Sequence, residues 1–272
     1  MILRDLAPIY PPKKENISVI SCQPYPDVIR KVLLLLAASG PLCGQSPTPR
    51  DSSARRPAVP TIALWFAAGA LAASPADGGW DRTIRAAGPQ RSLTLRNLDG
   101  VGDVWGSPGA IVAAGSLWLG ARVLHDSTRA RLGARALEAL MLSGTLTGTI
   151  KGIAGRARPD ADPGQAESWS LGRGIHDARY QSFPSGHATA AFAFASAITA
   201  QLSRDRSPLT RWAAPVLFGL AAVTAFARTY DGAHWVSDVV AGAGVGTVSG
   251  LTVIRWHDAH PGSWLDRLLL GH

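Results

Sequence analysis

The most informative stretch of the chain is ARTYDGAHWVSD, residues 227–238, which ends one long apolar segment and begins the next. His234 and Asp238 are four residues apart, so on a helix they share a face. The Asp238 carboxylate can hold one nitrogen of the His234 ring and leave the other free as a nucleophile. Arg228 can bind a phosphate through two parallel hydrogen bonds. A purely structural histidine and aspartate pair is the alternative explanation of this stretch alone.

A second stretch, PSGH at residues 184–187, directly precedes another apolar segment and predicts the start of a helix. Ser185 is a residue type that helices favour at the N-cap. Backbone N–H groups are free at a helix start and the helix dipole favours anions there, so Ser185, Gly186 and His187 are predicted to hold a phosphate. An ordinary capped helix with an incidental histidine explains this tetrapeptide equally well.

The third stretch is KGIAGRARP, residues 151–159, and Lys151 in it is the only lysine after Lys31. Lys151 and Arg158 are seven residues apart, about two helical turns, so a continuing helix would bring both near one face. Pro159 is then predicted to stop that helix. Two cations beside a phosphate would stabilise the charge on its oxygens in the transition state. A solvated basic helix end is the alternative explanation.

Taken in order, the three stretches resemble the motifs of the type-2 phosphatidic acid phosphatase superfamily, which also includes bacterial acid phosphatases and vanadium haloperoxidases. The pattern reads Lys, six residues, Arg-Pro; then Pro-Ser-Gly-His; then Arg, five residues, His, three residues, Asp. The resemblance implies that His234 attacks phosphorus to form a phosphohistidine, that Asp238 orients it and that His187 protonates the leaving oxygen. The residues that it implies for phosphate binding are Lys151, Arg158, Ser185, Gly186 and Arg228.

The resemblance also implies that neither a metal nor another cofactor is required, because the cations do the electrostatic work that Mg²⁺ does at other phosphoryl-transfer sites. Ala227 departs from the family pattern, in which a serine commonly precedes the arginine. One neutral hydrogen bond is worth about 1 kcal/mol net, so we expect weaker binding or altered specificity rather than inactivity. Asp231 places a negative charge near the site that would disfavour highly anionic substrates, unless it is simply a solvated loop residue.

The expected substrate is a lipid phosphate, a polyprenyl diphosphate or a small exported phosphate ester, and no pattern in the sequence selects among them. A vanadium-dependent haloperoxidase is the enzymatic alternative, although members of that kind are usually much larger. A catalytically silent protein that binds phosphate or a lipid headgroup is a second alternative. Mere binding would not need both a nucleophile at His234 and a proton donor at His187.

Six apolar segments flank the motifs, and each is long enough for a helix and too long for a typical strand. We predict an all-α fold, a single helical bundle of about six core helices within residues 58–272. Gly242, Gly246 and Gly250 recur every fourth residue in the last segment and predict close packing on a neighbouring helix. The six segments are Thr61–Ser74, Gly109–Leu124, Ala134–Ile150, Ala188–Leu202, Trp212–Ala227 and Val236–Ile254.

The formal charge of +8 comes from 27 Lys and Arg against 19 Asp and Glu, which suits either a nucleic acid or an anionic membrane as a partner. The arginines are scattered without a dense basic run, so we predict no nucleic-acid binding. We favour an integral membrane protein over a soluble exported one, although several segments fall short of the roughly 20 residues of a span. The turns after the second and fourth segments carry Arg129, Arg131 and Arg135, then Arg204, Arg206 and Arg211. They would face the cytoplasm and leave the motifs on the extracytoplasmic side.

Residues 1–57 are predicted to be a disordered tail with a signal-like segment at residues 28–44, where two basic residues precede an apolar run. Translation that begins near Val28 would make this segment an ordinary secretory signal. An incidental leucine run in a disordered tail is the alternative. Both cysteines of the chain lie in this tail, so the predicted core has neither a disulfide nor a thiolate metal site.

Overall fold

The structure is a computed structural model that describes residues 58–87 and 93–271. In these residues it is helical, with no strand beyond an isolated bridge between Arg156 and Trp169. The predicted tail and its signal-like segment lie outside the described residues. The α-helices are α1 (Val59–Ala73), α2 (Asp77–Ala87), α3 (Leu93–Val104), α4 (Ala110–Val123), α5 (Ser127–Ala154), α6 (Gly186–Arg204), α7 (Thr210–Tyr230), α8 (Val236–Ala259) and α9 (Trp264–Leu270).

The six predicted apolar segments correspond to α1, α4, α5, α6, α7 and α8, so the predicted all-α bundle is confirmed. Three further helices, α2, α3 and α9, were not predicted. They are only 11, 12 and 7 residues long and carry charged residues between their apolar ones, as in the sequence WLDRLLL of α9. A search for long apolar segments does not detect helices of this kind.

Helix α6 lies at the centre of the bundle and packs against α5, α7 and α8. The predicted glycine stripe of α8 faces α6. A Cβ atom on Gly242 would lie 2.5 Å from the Ser185 carbonyl oxygen, and a Cβ atom on Gly246 would overlap the Thr189 carbonyl oxygen. The predicted close contact is therefore confirmed. Its consequence is that the first turns of α6 and α8 meet, and the Ser185 N–H donates to the Asp238 carbonyl at 2.9 Å.

The direction of the helices gathers the three motifs at one end of the bundle. Helices α5 and α7 end there, close to Lys151 and Arg228, whereas α6 and α8 begin there, close to Ser185 and His234. Five arginines of the two basic turns lie at the opposite ends of α5, α6 and α7, as predicted; they are Arg129, Arg131, Arg204, Arg206 and Arg211. The prediction is wrong for Arg135, which is buried within α5.

Three stretches are long and apolar enough to cross a membrane: Val59–Ile84, Thr210–Tyr230 and Val236–Ala259, of 26, 21 and 24 residues. The first is almost entirely uncovered by the rest of the protein, and large apolar side chains such as Leu64, Trp65 and Leu71 are exposed on it. A continuous exposed apolar surface of this kind indicates contact with lipid or with another protein. Length, composition and exposure together support a membrane location.

Candidate active site

The structure brings the predicted site residues together at the end of the bundle where α5 and α7 end. The His234 N–H donates to the Arg228 carbonyl at 3.0 Å, which joins both parts of the third motif. Gly186 lies beside the Lys151 side chain, since a Cβ atom on it would be 3.9 Å from the Lys151 Cε. Arg158 lies close enough for its charge to lower the pKa of both Lys151 and His234.

His234 and Asp238 are both buried, and the His234 Nδ1 lies 3.7 Å from the Asp238 Oδ2. That separation exceeds a hydrogen bond, and Nδ1 has no other hydrogen-bond partner in the described part of the chain. Burial lowers the pKa of His234 to about 4, the charges of Lys151 and Arg158 act in the same direction, and Asp238 opposes them. The ring is therefore neutral near pH 7, as a nucleophile requires.

The Asp238 carboxylate is held from three directions. Its Oδ2 accepts hydrogen bonds from the Ser182 hydroxyl at 2.5 Å and from the Trp235 N–H at 3.0 Å. Its Oδ1 accepts from the Arg156 Nη1 at 2.6 Å. A carboxylate with three donors has little freedom to rotate, so the face that it presents to His234 is set by Ser182, Trp235 and Arg156.

Lys151 lies in the last turn of α5, where its Nζ donates to the Gln181 carbonyl at 2.5 Å. Burial, followed by the charges of Arg158 and Arg228, lowers the pKa of Lys151 to about 8, and Asp238 opposes this shift. Among the side chains that the structure describes, no carboxylate forms an ion pair with Lys151 or Arg158. Two neighbouring cations without a counter-ion form a favourable place for an anion.

The predicted continuation of this helix to Pro159 is wrong, because α5 ends at Ala154. Gly155 has a φ of +58°, and a Cβ atom there would overlap the Ser170 carbonyl oxygen. Glycine is the residue type that tolerates both conditions, so it closes the helix four residues early. Arg158 is then placed by a hydrogen bond from its N–H to the Arg179 carbonyl at 2.9 Å rather than by helical spacing.

Ser185 occupies the predicted N-cap position of α6, but its side chain forms no capping hydrogen bond. Its hydroxyl is buried and has no partner among the described residues. Buried hydroxyls normally have a hydrogen-bond partner, so this one is available to a ligand that the site holds. A phosphate oxygen next to the first turn of α6 is a partner that such a hydroxyl can reach.

A second acidic group faces the outer side of the site. The Asp103 Oδ1 lies 3.3 Å from the His187 Nε2 and 2.5 Å from the Arg228 Nη1, and the same Nη1 lies 2.8 Å from the Asp231 Oδ2. Asp231 is therefore an ion-pair partner rather than a simply solvated residue. Burial and, next, the charge of Arg228 lower the pKa of His187, whereas Asp103 opposes them.

Ala227, the position that departs from the family pattern, is fully buried. A Cβ atom on Gly102 of α3 would lie 2.6 Å from the Ala227 Cβ, so α3 and α7 approach closely at this point. The small side chain therefore has a packing role, because a larger one would meet the backbone of α3.

Four residues of the site escaped prediction: Asp77, Asp103, Arg156 and Ser182. Arg156 lies inside the quoted KGIAGRARP stretch, so a third basic residue in that motif, beside Lys151 and Arg158, was the signal that could have revealed it. Ser182 lies just before the PSGH stretch, in a polar loop. Asp77 and Asp103 belong to short helices without a motif, and only the packing of the bundle brings them to the site.

The fold and the site define a class: an all-α membrane protein whose helix ends converge on a buried histidine and aspartate pair beside fixed cations. Residues 132–261 match the model of the PAP2 superfamily. The matched region contains all three motifs, so the chain is similar to this superfamily in the part that forms the site.

Among curated proteins, the chain is similar to a lipid A 1-phosphatase of Rhizobium etli, with 34% identity over 117 residues. The match covers 42% of this chain and 46% of that protein, so less than half of the relative is represented.

Two solved structures are also similar. The crystal structure of a transmembrane PAP2-type phosphatidylglycerolphosphate phosphatase from Bacillus subtilis aligns with a TM-score of 0.57 and 19% identity, over 75% of this chain and 98% of that one. The LpxE structure from Aquifex aeolicus aligns with a TM-score of 0.47 and 22% identity, over 64% and 93% of the two chains. The first of these comparisons shows that the chain has the fold of that protein.

Proposed function

We propose that this protein is a metal-independent phosphatase that hydrolyses a phosphomonoester or diphosphate group of a lipid through a phosphohistidine intermediate. The observation that carries the proposal is the buried, neutral His234, which lies beside Asp238 and close to the positive charges of Lys151 and Arg158. The names of the relatives, a lipid A 1-phosphatase and a phosphatidylglycerolphosphate phosphatase, support a lipid phosphate as the substrate class.

The phosphate is bound by the residues that we call the cradle: Lys151, Arg158, Ser185, Gly186 and Arg228. The cations neutralise the charge of the phosphate, and the buried Ser185 hydroxyl and the free N–H groups at the start of α6 donate to its oxygens. Stabilisation by such fixed groups requires no reorganisation during the reaction.

In the first step the free ring nitrogen of His234 attacks phosphorus, so a P–N bond forms while the P–O bond to the lipid breaks. His187 donates its proton to the departing oxygen and becomes neutral. Asp238 stabilises the positive charge that develops on the His234 ring, because its carboxylate faces the Nδ1 side.

In the second step water attacks the phosphohistidine. His187 now accepts a proton from that water, the P–N bond breaks, and His234 regains its lone pair as inorganic phosphate leaves. His187 is again protonated and the site returns to its starting state.

We further propose that the site faces the extracytoplasmic side of the membrane. Arg129, Arg131, Arg204, Arg206 and Arg211 lie at the ends of α5, α6 and α7 opposite the site. Short loops with excess arginine remain in the cytoplasm when helices insert. Labelling of single cysteines placed in these turns, in intact and permeabilised cells, tests this orientation; labelling of the turns in intact cells would contradict it.

The test of the activity is release of inorganic phosphate by the purified protein with EDTA present. Lipid phosphates, polyprenyl diphosphates and water-soluble phosphate esters are compared, on membrane and soluble fractions. We expect release from at least one lipid phosphate and none from the His234→Ala variant, with the fold unchanged by circular dichroism. Release that requires an added divalent metal, or that survives in His234→Ala, would overturn the proposed mechanism.

A further inference from the structure

Arg156 is buried inside the bundle and uses all of its hydrogen-bonding capacity. Its Nη1 donates to the Ser237 hydroxyl at 2.7 Å and to Asp238 at 2.6 Å, and its Nη2 donates to Asp77 at 2.8 Å. Its Nε and Nη2 donate to the Ala166 carbonyl at 3.1 and 2.7 Å. A guanidinium has five N–H donors, so this side chain is completely satisfied and has no donor left for a substrate.

Asp77, the first residue of α2, connects Arg156 to the start of α8. Its Oδ1 accepts from the Ser237 N–H at 2.9 Å, and its Oδ2 accepts from the Ser237 hydroxyl at 2.6 Å as well as from Arg156. The carboxylate therefore satisfies a backbone donor in the first turn of α8, which carries Asp238 one residue later. Asp77 also lies outside residues 132–261, the region that matches the superfamily.

We propose that Asp77 is a positioning residue for the pair formed by His234 and Asp238. The proposal rests on the proposed function, since it assigns Asp77 to the alignment of that reaction's nucleophile. Arg156 divides its attraction between the two buried carboxylates, Asp77 on one side and Asp238 on the other. Without the charge of Asp77, Asp238 would bind Arg156 alone and more tightly, and its contact with His234, already 3.7 Å, would weaken.

The expected effect on kcat and KM follows from the contacts of Asp77, which do not include the residues of the cradle. It contacts Ser237 and Arg156, and neither belongs to the cradle. Loss of its charge should therefore leave phosphate binding intact and slow the chemical step. A misplacement of a reacting group by about 1 Å can slow a reaction roughly a hundredfold.

The experiment measures kcat and KM for the purified full chain on a lipid phosphate that the wild-type protein hydrolyses. Asp77→Asn keeps the size of the side chain and removes its charge. We expect kcat to fall about tenfold to hundredfold, with KM within about twofold of the wild type. The rate at which the phosphohistidine forms, measured in a rapid-quench experiment with labelled substrate, should fall by the same factor as kcat.

A matched control exists at the other end of α5. Arg135 is also a buried arginine between two acids, Glu138 at 2.7 Å and Asp266 of α9, far from the site. Asp266→Asn removes one of those acids in the same way. We expect Asp266→Asn to lower thermal stability but to keep the wild-type kcat per folded molecule. If Asp77 had only a structural role, Asp77→Asn would behave in the same way.

A second variant keeps the test decisive if Asp77→Asn does not fold. Ser237→Ala removes only the hydroxyl that joins Asp77 to Arg156, and we expect a smaller fall in kcat, about threefold to tenfold, with KM unchanged. An unchanged kcat in the folded variants, or a rise in KM instead, would overturn the positioning role while leaving the proposed function intact. A wild-type protein that releases no phosphate from any substrate would overturn both.

Discussion

Two arginines of the site, Arg156 and Arg228, each form ion pairs with two aspartates, but one arginine is buried and the other is partly exposed to solvent. The inner network joins Arg156 to Asp77 and Asp238, and these side chains are only 1, 0 and 0% exposed. The outer network joins Arg228 to Asp103 and Asp231, whose side chains are 12, 55 and 24% exposed. Each network therefore places one guanidinium between two carboxylates, once in the protein interior and once facing solvent.

The difference in exposure gives the two networks different uses. In the inner network every donor of Arg156 is occupied and no water competes, so the network fixes geometry. In the outer network solvent screens the ion pairs, and the Arg228 Nε has no partner in the described residues. A phosphate can replace an exposed carboxylate on Arg228, whereas nothing can enter between Arg156 and its two acids. Burial, rather than residue type, separates the supporting arginine from the ligand-binding one.

The strongest test of this comparison is Arg156→Ala. It leaves Asp77 and Asp238 as uncompensated buried charges, so we expect the free energy of unfolding to fall by about 3–5 kcal/mol. Phosphate release should be lost as well, because Asp238 no longer has its fixed orientation. Chemical unfolding in detergent, followed by tryptophan fluorescence, measures the first effect. A variant as stable as the wild type would remove the distinction between the networks.

Arg228→Ala is expected to lose activity as well, but with little loss of stability. Loss of one stabilising donor at a reaction centre typically slows catalysis about 100-fold to 1,000-fold, so kcat/KM should fall by that factor. The unfolding free energy should change by only about 1 kcal/mol, because partly exposed ion pairs contribute little. Arg211→Ala, at the opposite end of α7, is the control and should retain wild-type kcat/KM. A large loss of stability in Arg228→Ala would place Arg228 with the inner network.

Asp103→Asn sharpens the comparison further. The Asp103 carboxylate forms an ion pair with the Arg228 guanidinium, so it competes with the substrate phosphate for that group. Removal of its charge should lower KM and the inhibition constant of inorganic phosphate by about fivefold, which corresponds to about 1 kcal/mol. Steady-state kinetics with phosphate as a competitive inhibitor measures both constants. An unchanged inhibition constant would show that Asp103 does not compete for the cradle.

The pH dependence of kcat/KM tests Asp103 independently. His234 must be neutral and its pKa is about 4, so activity should rise with pH through that value. His187 must be protonated, and burial lowers its pKa from the ordinary value of an imidazole, so activity should fall again as the pH rises through this lowered pKa. Because Asp103 raises the pKa of His187, Asp103→Asn should move the alkaline limb to lower pH. A move to higher pH would contradict this contact.

The smallest effect is expected for Ala227→Ser, which restores the residue of the family pattern. Ala227 packs against Gly102 and is fully buried, so the added hydroxyl meets α3. We expect kcat/KM within about twofold of the wild type and an unfolding free energy lower by about 1 kcal/mol. A KM several-fold below that of the wild type would instead favour the lost hydrogen bond that the sequence comparison suggested.

The sequence predicted much of the fold because long apolar segments are a local signal. All six predicted segments are helices, and the glycine spacing of α8 correctly predicted close packing on a neighbouring helix, which the structure shows to be α6. The end of α5 was not predicted, because Pro159 is a more obvious helix terminator than Gly155. The left-handed conformation of Gly155 depends on the neighbouring Ser170, whose position the local sequence does not contain.

For the site, residue identity and order led to the proposed nucleophile, its orienting acid and the cations of the cradle, because chemical type and the order of the motifs carry the family resemblance. The tertiary structure alone decided which arginine is buried, which acids share it, and which acid faces His187. Asp77 and Asp103 are far from the motifs along the chain and reach them only through the packing of α2 and α3. Ion pairing depends on distance and solvent exposure, and both are properties of the folded bundle.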